Sequence, residues 1–297
     1  MNCQTVTLTE TLDLSNTCLA IGFFDGLHRG HQKLIQAALA SKLTPAILTF
    51  SPDMKSLLSK KPSELLLTPE EKDAMLATLG IQKEYVLPFT PEVRNASLED
   101  FLAFLRRSHV QEVVVGDDFT FSRMGQGKVN DLLTLRKDGI LVRPLSLLLD
   151  SGVKVSSTSI KDYLKQGDIV AANNLLGYDF YLEGIVQHGL MNGRKIGFPT
   201  ANLNPQPNKV LPARGVYKTK TSIDGFVFSS MTYIGKHPTI EKLSQDLIET
   251  NILGFKGDLY GQKIVVTFLD HIRSDVTFGS LEELKEQLKK DALQAKD

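Results

Sequence analysis

Cys18-Leu19-Ala20-Ile21-Gly22-Phe23-Phe24-Asp25-Gly26-Leu27-His28-Arg29-Gly30-His31 is the stretch on which the fold turns. Its first seven residues form a short, almost wholly apolar run, the pattern of a strand buried on both faces of a parallel sheet. The run breaks at Asp25-Gly26. An amphipathic helix should follow, with Leu34, Ile35, Ala38 and Leu39 on one face. Ala46-Ile47-Leu48-Thr49-Phe50 then reads as a second strand, which completes a βαβ unit.

The same alternation continues outward. A helix is expected over Glu70–Leu79, a strand over Glu84–Leu87, a helix over Leu98–Arg107, and strands over Glu112–Val115 and Ile140–Val142. Repeated β/α alternation predicts an α/β domain of Rossmann-like kind, an open parallel sheet covered by helices. In such sheets ligands sit beyond the carboxyl ends of the strands, where Asp25–His31 and Gly116–Phe121 would lie. The texture changes after Gly177. From Phe180 to Phe268 short strands punctuated by Gly and Pro, including Gly215-Val216-Tyr217, Phe226-Val227-Phe228 and Lys263–Phe268, predict a small antiparallel β-barrel. A C-terminal helix closes the chain, with Ser280 and Glu283 as a capping box and Leu281, Leu284 and Leu288 as its apolar face. The expected domains are 1–179 and 180–297.

Composition narrows the function classes. A length of 297 residues suits two domains, and 34 basic against 34 acidic residues leaves no excess for a nucleic-acid or anionic-membrane partner. No stretch approaches the roughly 20 apolar residues of a membrane span. Met1-Asn2-Cys3-Gln4-Thr5 lacks the basic and apolar regions of a secretory signal. Cys3 and Cys18 have no metal-ligand spacing, so a reducing cytoplasm is the expected compartment.

Three segments carry chemistry. His28 and His31, at the start of a helix, stand among unpaired backbone N–H groups at the positive dipole end, and Gly26 and Gly30 let the backbone approach a ligand. This reads as an anion site with two extra donors. A zinc site or a structural loop is the alternative, but zinc needs further ligands and only His109, His188, His237 and His271 remain, scattered. Ser156-Ser157-Thr158-Ser159-Ile160-Lys161 offers hydroxyls and a cation at a helix start, which can hold outer phosphates or simply cap the helix. Pro199-Thr200-Ala201-Asn202 pairs two oxygen-bearing side chains, for which a turn with a hydrogen-bonded Asn is the ordinary reading.

Together these segments resemble the bacterial bifunctional riboflavin kinase/FMN adenylyltransferase family, also called FAD synthetases. The first two look like its nucleotidylyltransferase domain. The second half matches its riboflavin kinase module through His188-Gly189, Gly193-Arg194-Lys195-Ile196-Gly197-Phe198-Pro199-Thr200-Ala201-Asn202, Gly215-Val216-Tyr217, Ile234-Gly235-Lys236-His237-Pro238-Thr239 and Asp258-Leu259-Tyr260-Gly261. The resemblance implies that riboflavin is phosphorylated to FMN and FMN adenylylated to FAD, with ATP and Mg²⁺. It implies ATP-phosphate contacts at His28 and His31 with Gly22, Phe24, Asp25, Gly26 and Gly30, and at Ser156, Ser157, Thr158 and Lys161. Asp118 would bind the nucleotide or FMN. In the kinase module Gly193, Arg194, Gly197 and Pro199 would line the phosphates, Thr200 and Asn202 would hold Mg²⁺-ATP, and Glu249 would accept the proton of the ribityl 5′-hydroxyl.

Four positions depart from the family pattern. Phe50-Ser51-Pro52-Asp53-Met54 lacks a usual histidine, Ser122 stands where glycine is usual, Lys161 replaces an arginine, and Gly254 a frequent aspartate. Lysine is a point charge where arginine is a planar fork. The alternatives are a riboflavin kinase with a degenerate first domain, and a flavin- or nucleotide-binding regulator. With no tryptophan, the flavin ring must find its flat apolar slot among 15 Phe and 7 Tyr.

Overall fold

A computed structural model describes residues 1–51, 63–189, 193, 196–236 and 246–296. The chain divides into two compact units, Met1–Ser157 and Thr158–Asp297.

The first unit contains β1 (Asn2–Thr5), β2 (Thr17–Ile21), α1 (Arg29–Leu39), β3 (Thr44–Phe50), α2 (Pro69–Thr78), β4 (Lys83–Leu87), α3 (Leu98–Arg107), β5 (Glu112–Gly116) and β6 (Leu141–Leu145). The six strands form one sheet in the order β1-β4-β3-β2-β5-β6, and every pairing is parallel. All five residues of β2 are buried, as two covered faces require. The chain builds outward from β2 through β3 and β4, then returns to the other side of β2 with β5. That reversal is a topological switch point, which opens a crevice at the carboxyl ends of β2 and β5.

Helix starts follow their caps. Thr68 and Ser97 each accept from the N3 backbone while Glu71 and Asp100 reach back, so α2 and α3 both begin on capping boxes. Three expectations need correction. Strand β2 stops at Ile21, because Phe24 takes a left-handed conformation (φ 51°) and Gly22–Phe24 belong to the turn. Leu39 is 38% exposed at the last position of α1, where the apolar stripe has rotated off the sheet. The last sheet strand covers Leu141–Leu145, one residue beyond Ile140, which ends the preceding turn.

The second unit opens with α4, a helix of Ser157–Gln166 whose first residue lies in the first unit, and α5 (Ile169–Leu176). Both join the barrel: Ala213 N–H donates to Leu164 O at 2.8 Å, and Asn173 Nδ2 donates to Phe268 O at 2.9 Å. The barrel comprises β7 (Tyr181–Gln187), β8 (Ala201–Pro205), β9 (Gly215–Ile223), β10 (Phe226–Lys236), β11 (Asp246–Ile252) and β12 (Lys263–Ser274). It closes in the order β7-β8-β11-β10-β9-β12, all antiparallel. Several strands are longer than their local texture suggests; β12 runs 12 residues and bulges between Val216/Tyr217 and Lys218/Thr219 of its partner accommodate the bend.

Inside the barrel, Thr221, Ser230, Thr219, Thr232 and Thr250 form a chain of hydroxyl hydrogen bonds of 2.8–3.0 Å. Each is at most 1% exposed, so mutual pairing removes the cost of burying them. Outside, α6 (Leu281–Lys296) packs on β9 and β10. The expected cap is half right: Ser280 Oγ accepts from Glu283 N–H, but the Glu283 carboxylate accepts from Gly279 N–H. The expected apolar face is also shifted. Leu281 is 50% exposed, and the helix docks through Leu288, Ala292 and Ala295 and through a buried ion pair between Asp291 and Arg273 at 2.9 Å.

Candidate functional site

At the switch point the turn after β2 is tightly constrained. Phe24 (φ 51°), Gly26 (φ 79°) and Leu27 (φ 39°) all have left-handed backbones, yet Phe24 and Leu27 are fully buried. A bulky side chain held at such angles stores roughly 1–3 kcal/mol, which packing must offset. Gly26 admits no side chain: a Cβ there would lie 2.6 Å from Leu66. The Asp25 carboxylate accepts Leu66 N–H at 2.9 Å, and Asp25 O accepts Ser157 Oγ–H at 2.8 Å. The serine-rich segment is thereby tied to the turn. Thr49 Oγ donates to Phe23 O at 3.1 Å and ties the turn to β3.

His28 caps α1. Its Nδ1 accepts His31 N–H at 3.3 Å, so the neutral ring carries its proton on Nε2. The two imidazoles stack at 3.6 Å and 17°, with Phe24 5.1 Å from His31. Gly30 lies under the His28 ring, where a Cβ would meet it at 3.2 Å. Burial pushes the His28 pKa down to about 4, against a smaller opposing pull from Asp25. Burial, and then His28 beside it, holds His31 well below the usual histidine range. His31 Nδ1 is shielded from solvent and has no hydrogen-bond partner among the described residues. At neutral pH the pair is therefore two uncharged hydrogen-bonding rings, poor material for a salt bridge and good material for polarising a phosphate oxygen.

Asp118 follows β5 on the other side of the crevice and pairs with Lys154 at 2.5 Å. Phe23, Phe50 and Phe119 project from the ends of β2, β3 and β5 in a contiguous run, with centroids 5.1 and 6.4 Å apart, and Phe23 is 41% exposed. Sequence reasoning did not name Lys154 and gave these rings no role; the adjacent strand ends were the only signal. Gly22 takes an ordinary backbone and hydrogen-bonds Leu48 O at 3.1 Å. Thr158 and Lys161 lie in the first turn of α4, on the second unit's side of the division, and Ser156 precedes that helix. Asp53 and Arg194 lie outside the described residues.

Three residues at or near the departing positions, Ser51, Ser122 and Gly254, have defined local geometry. Ser51 ends β3, donating N–H to Leu87 O at 3.1 Å and accepting Phe89 N–H on Oγ at 3.0 Å. Ser122 sits at φ 65°, ψ −178°, a region that favours glycine. Gly254 has φ 76°, in the turn that leaves β11. Among the described residues one cluster with metal-ligand geometry, Cys3, Asp73 and Glu84, lies at the amino ends of β1 and β4, away from the crevice. Lys72, 2.7 Å from Glu84, already supplies its counter-charge.

In the barrel the site comes from register. Asn202 on β8 pairs with Gln187 on β7 and with Glu249 on β11, and Glu249 pairs with Tyr233 on β10. Directly paired residues share a face, so Asn202, Glu249 and Tyr233 form one row across the wall. Asn251 Nδ2 donates to Pro199 O at 2.6 Å and fixes the Pro-Thr-Ala-Asn segment. Gly189 and Gly193 clear the space beside it. A Cβ at Gly189 would come within 2.7 Å of Asn202 Oδ1, and one at Gly193 within 3.2 Å of Thr200 Oγ. Gly197 turns the approach with φ 87°.

Tyr233, which sequence reasoning missed, hydrogen-bonds Asp275 at 3.2 Å and folds its ring over Gly235. Burial, with Asp275 and Glu249 adding, pushes its pKa up to about 12, so it stays protonated beside Glu249. His188 stacks on Tyr260 at 3.7 Å and 26°.

Two family models divide the chain as the two sites do. One described as FAD synthetase matches residues 10–159, and one described as riboflavin kinase matches 176–297. The bifunctional riboflavin kinase/FMN adenylyltransferase of Bacillus subtilis is 34% identical, over 95% of this chain and 92% of its own. That of Escherichia coli K12 is 35% identical, over 94% and 91%. A crystal structure described as a macrolide-efflux protein from Streptococcus pneumoniae is 28% identical, with a TM-score of 0.87 and 99% of each chain covered. Among the described residues no helix is long and apolar enough to cross a membrane. The chain belongs to the bifunctional riboflavin kinase/FMN adenylyltransferase family, and it is an enzyme that phosphorylates riboflavin to FMN and adenylylates FMN to FAD.

Proposed function

We propose that each activity has its own constellation, adenylylation at the His28–His31 turn and phosphorylation on the barrel wall at Asn202 and Glu249. The functional division is placed between Asp179 and Phe180, and the enzyme is assigned to the cytoplasm. The observation that carries the reading is the direct pairing of Asn202 with Glu249, which sets a hard oxygen donor beside a carboxylate on one face.

In adenylylation the FMN phosphate attacks the α-phosphorus of ATP, and the bond to the β-phosphate breaks. The nucleophile is already ionised, so no general base is needed. What the protein must supply is charge stabilisation at the α-phosphate, and donors held before the reaction do this with no reorganisation. His28 Nε2–H and His31, locked by stacking and burial, suit that task. Gly22, Phe24, Asp25, Gly26 and Gly30 shape the backbone around it. Ser156, Ser157, Thr158 and Lys161 are assigned to the outer phosphates and Asp118 to the nucleotide or flavin. The exposed edge of Phe23, backed by Phe50 and Phe119, offers a flat apolar surface for a ring.

In phosphorylation Glu249 accepts the proton of the 5′-hydroxyl as that oxygen bonds to the γ-phosphorus, and the bond from the γ-phosphorus to the bridging oxygen breaks to release ADP. Thr200 and Asn202 fit Mg²⁺: both are hard oxygen donors, and glycines line the cradle beside them. When bound there, Mg²⁺ would neutralise charge on the β- and γ-phosphates. Gly193, Arg194, Gly197 and Pro199 are assigned to the phosphate loop.

Incubation with riboflavin and MgATP, with FMN and FAD separated by chromatography, tests the assignment. Asn202→Ala should raise the Mg²⁺ concentration needed for half-maximal FMN formation about tenfold, with FAD formation from supplied FMN unaffected. An unchanged Mg²⁺ titration would remove the metal from Asn202.

A further inference from the structure

The neutrality of the histidine pair leaves a charge problem. Adenylyl transfer releases pyrophosphate, a strongly anionic leaving group, and with His28 and His31 held uncharged by burial the positive charge assigned to it rests on Lys161 alone. Among the basic side chains near the turn, Arg29 is engaged by Asp150 at 2.6 Å and Lys33 by Ser146 O at 3.1 Å. Lys154 differs from both. It lies two residues before Ser156, on the segment that runs beside the turn, where Val155 O is 3.7 Å from the Gly30 Cβ position. Its ammonium bonds Asp118 across the mouth of the crevice, and both side chains are about half exposed. Its field reaches His28, as does that of Asp118.

We infer that Lys154 is a phosphate-binding residue of the adenylylation site, parked on Asp118 until nucleotide enters and then transferred to the departing pyrophosphate. The inference rests on placing adenylylation at the His28–His31 turn. An exposed carboxylate–ammonium pair is worth at most about 1 kcal/mol, so a polyphosphate can displace it at little cost. The same exchange would free the Asp118 carboxylate for a ribose or flavin hydroxyl as the phosphates arrive. A lysine serves better here than an arginine, because its single charge on a flexible stem can follow the leaving group as the bond lengthens.

The test is inhibition of FAD formation by pyrophosphate in the full-length enzyme, measured for Lys154→Ala, Lys154→Gln, Lys154→Arg and Asp118→Asn, with His31→Ala alongside. The urea unfolding transition of the first unit in each variant reports that the adenylylation domain is folded. The expected result is a pyrophosphate inhibition constant raised about tenfold in Lys154→Ala and Lys154→Gln and largely restored in Lys154→Arg. Asp118→Asn should slow FAD formation without raising that constant. An inhibition constant within twofold of the parent in Lys154→Ala and Lys154→Gln would overturn the inference, and so would an equal rise in Asp118→Asn, which would mean Lys154 only positions Asp118. Loss of FAD formation in His31→Ala with no change in either Lys154 variant would reject Lys154 alone. No loss in His31→Ala would reject the site itself.

Discussion

The crevice of the parallel sheet and the wall of the barrel organise polar groups in opposite ways. The first concentrates its chemistry within a few consecutive residues. A strained turn with left-handed Phe24, Gly26 and Leu27 aims two buried, uncharged imidazoles from one helix start. The second assembles its row from strands far apart in sequence, Asn202 on β8, Tyr233 on β10 and Glu249 on β11, and spends no backbone strain on them. In the turn, burial sets the protonation state. On the wall, strand register sets the distance. Reactions that need fixed donors and no base suit the first design. A reaction that must deprotonate a hydroxyl suits the second, where a half-buried carboxylate can exchange protons.

The contrast is broken most directly at Glu249. Glutamine at that position keeps the shape and an acceptor oxygen but cannot take a proton. Glu249→Gln is expected to slow riboflavin phosphorylation by ~10²–10⁴-fold while FMN adenylylation proceeds at the parent rate. Full kinase turnover, under conditions where chemistry limits the rate, would remove the base role.

The counterpart is His31→Ala, which should cut FAD formation from FMN by ~10²–10³-fold and spare FMN formation. Equal loss of both would mean that the stacked pair serves folding. The pH dependence sharpens this. Because His28 titrates near 4 in the folded chain and near 6.5 when unfolded, its contribution is fully present above pH 6.5 and is lost as pH falls towards 4. Adenylylation should therefore show no inflection near pH 6.5 from this pair, whereas first-unit stability, followed by urea unfolding, should decline across that window.

The smallest effect concerns a residue that departs from the family pattern. Ser122 pays for a glycine-type conformation and recovers only an exposed bond from its Oγ to Ser97 O at 3.1 Å. Ser122→Gly removes roughly 1–3 kcal/mol of strain, less the lost bond and the added freedom of the unfolded chain. A net gain of about 1 kcal/mol in the urea transition of the first unit is expected. Net destabilisation would show that the backbone there is held without strain.

How much of this was legible in the sequence follows the same contrast. The βαβ alternation, the helices over Glu70–Leu79 and Leu98–Arg107 and the His28–His31 turn depend on neighbours within a few residues, and local pattern exposed them; the capping boxes at Thr68 and Ser97 it left unread. The tautomer of His28 was not legible either, since it depends on a ring folded back onto the His31 backbone. The barrel was legible as strand texture but not in strand length or order. Tyr233 stayed hidden because its pairing to Glu249 links residues 16 positions apart through a register that no local pattern encodes. Leu281 misled for a related reason: its spacing fits an apolar face, but the helix is anchored nearly three turns later by Asp291 on Arg273. Lys154 and the Phe23–Phe50–Phe119 run emerge only when separate strand ends are brought to one crevice.

The central claim is that two complete and independent sites act in series, and complementation in trans tests it most directly. His31→Ala should make FMN from riboflavin but almost no FAD, and Glu249→Gln should make FAD only from supplied FMN. Mixed at equal concentration with riboflavin and MgATP, the two variants should produce FAD at a rate approaching that of the parent enzyme, with FMN passing through solution. Failure of the mixture, with each variant still performing its single step, would contradict the claim and require both steps to occur within one chain.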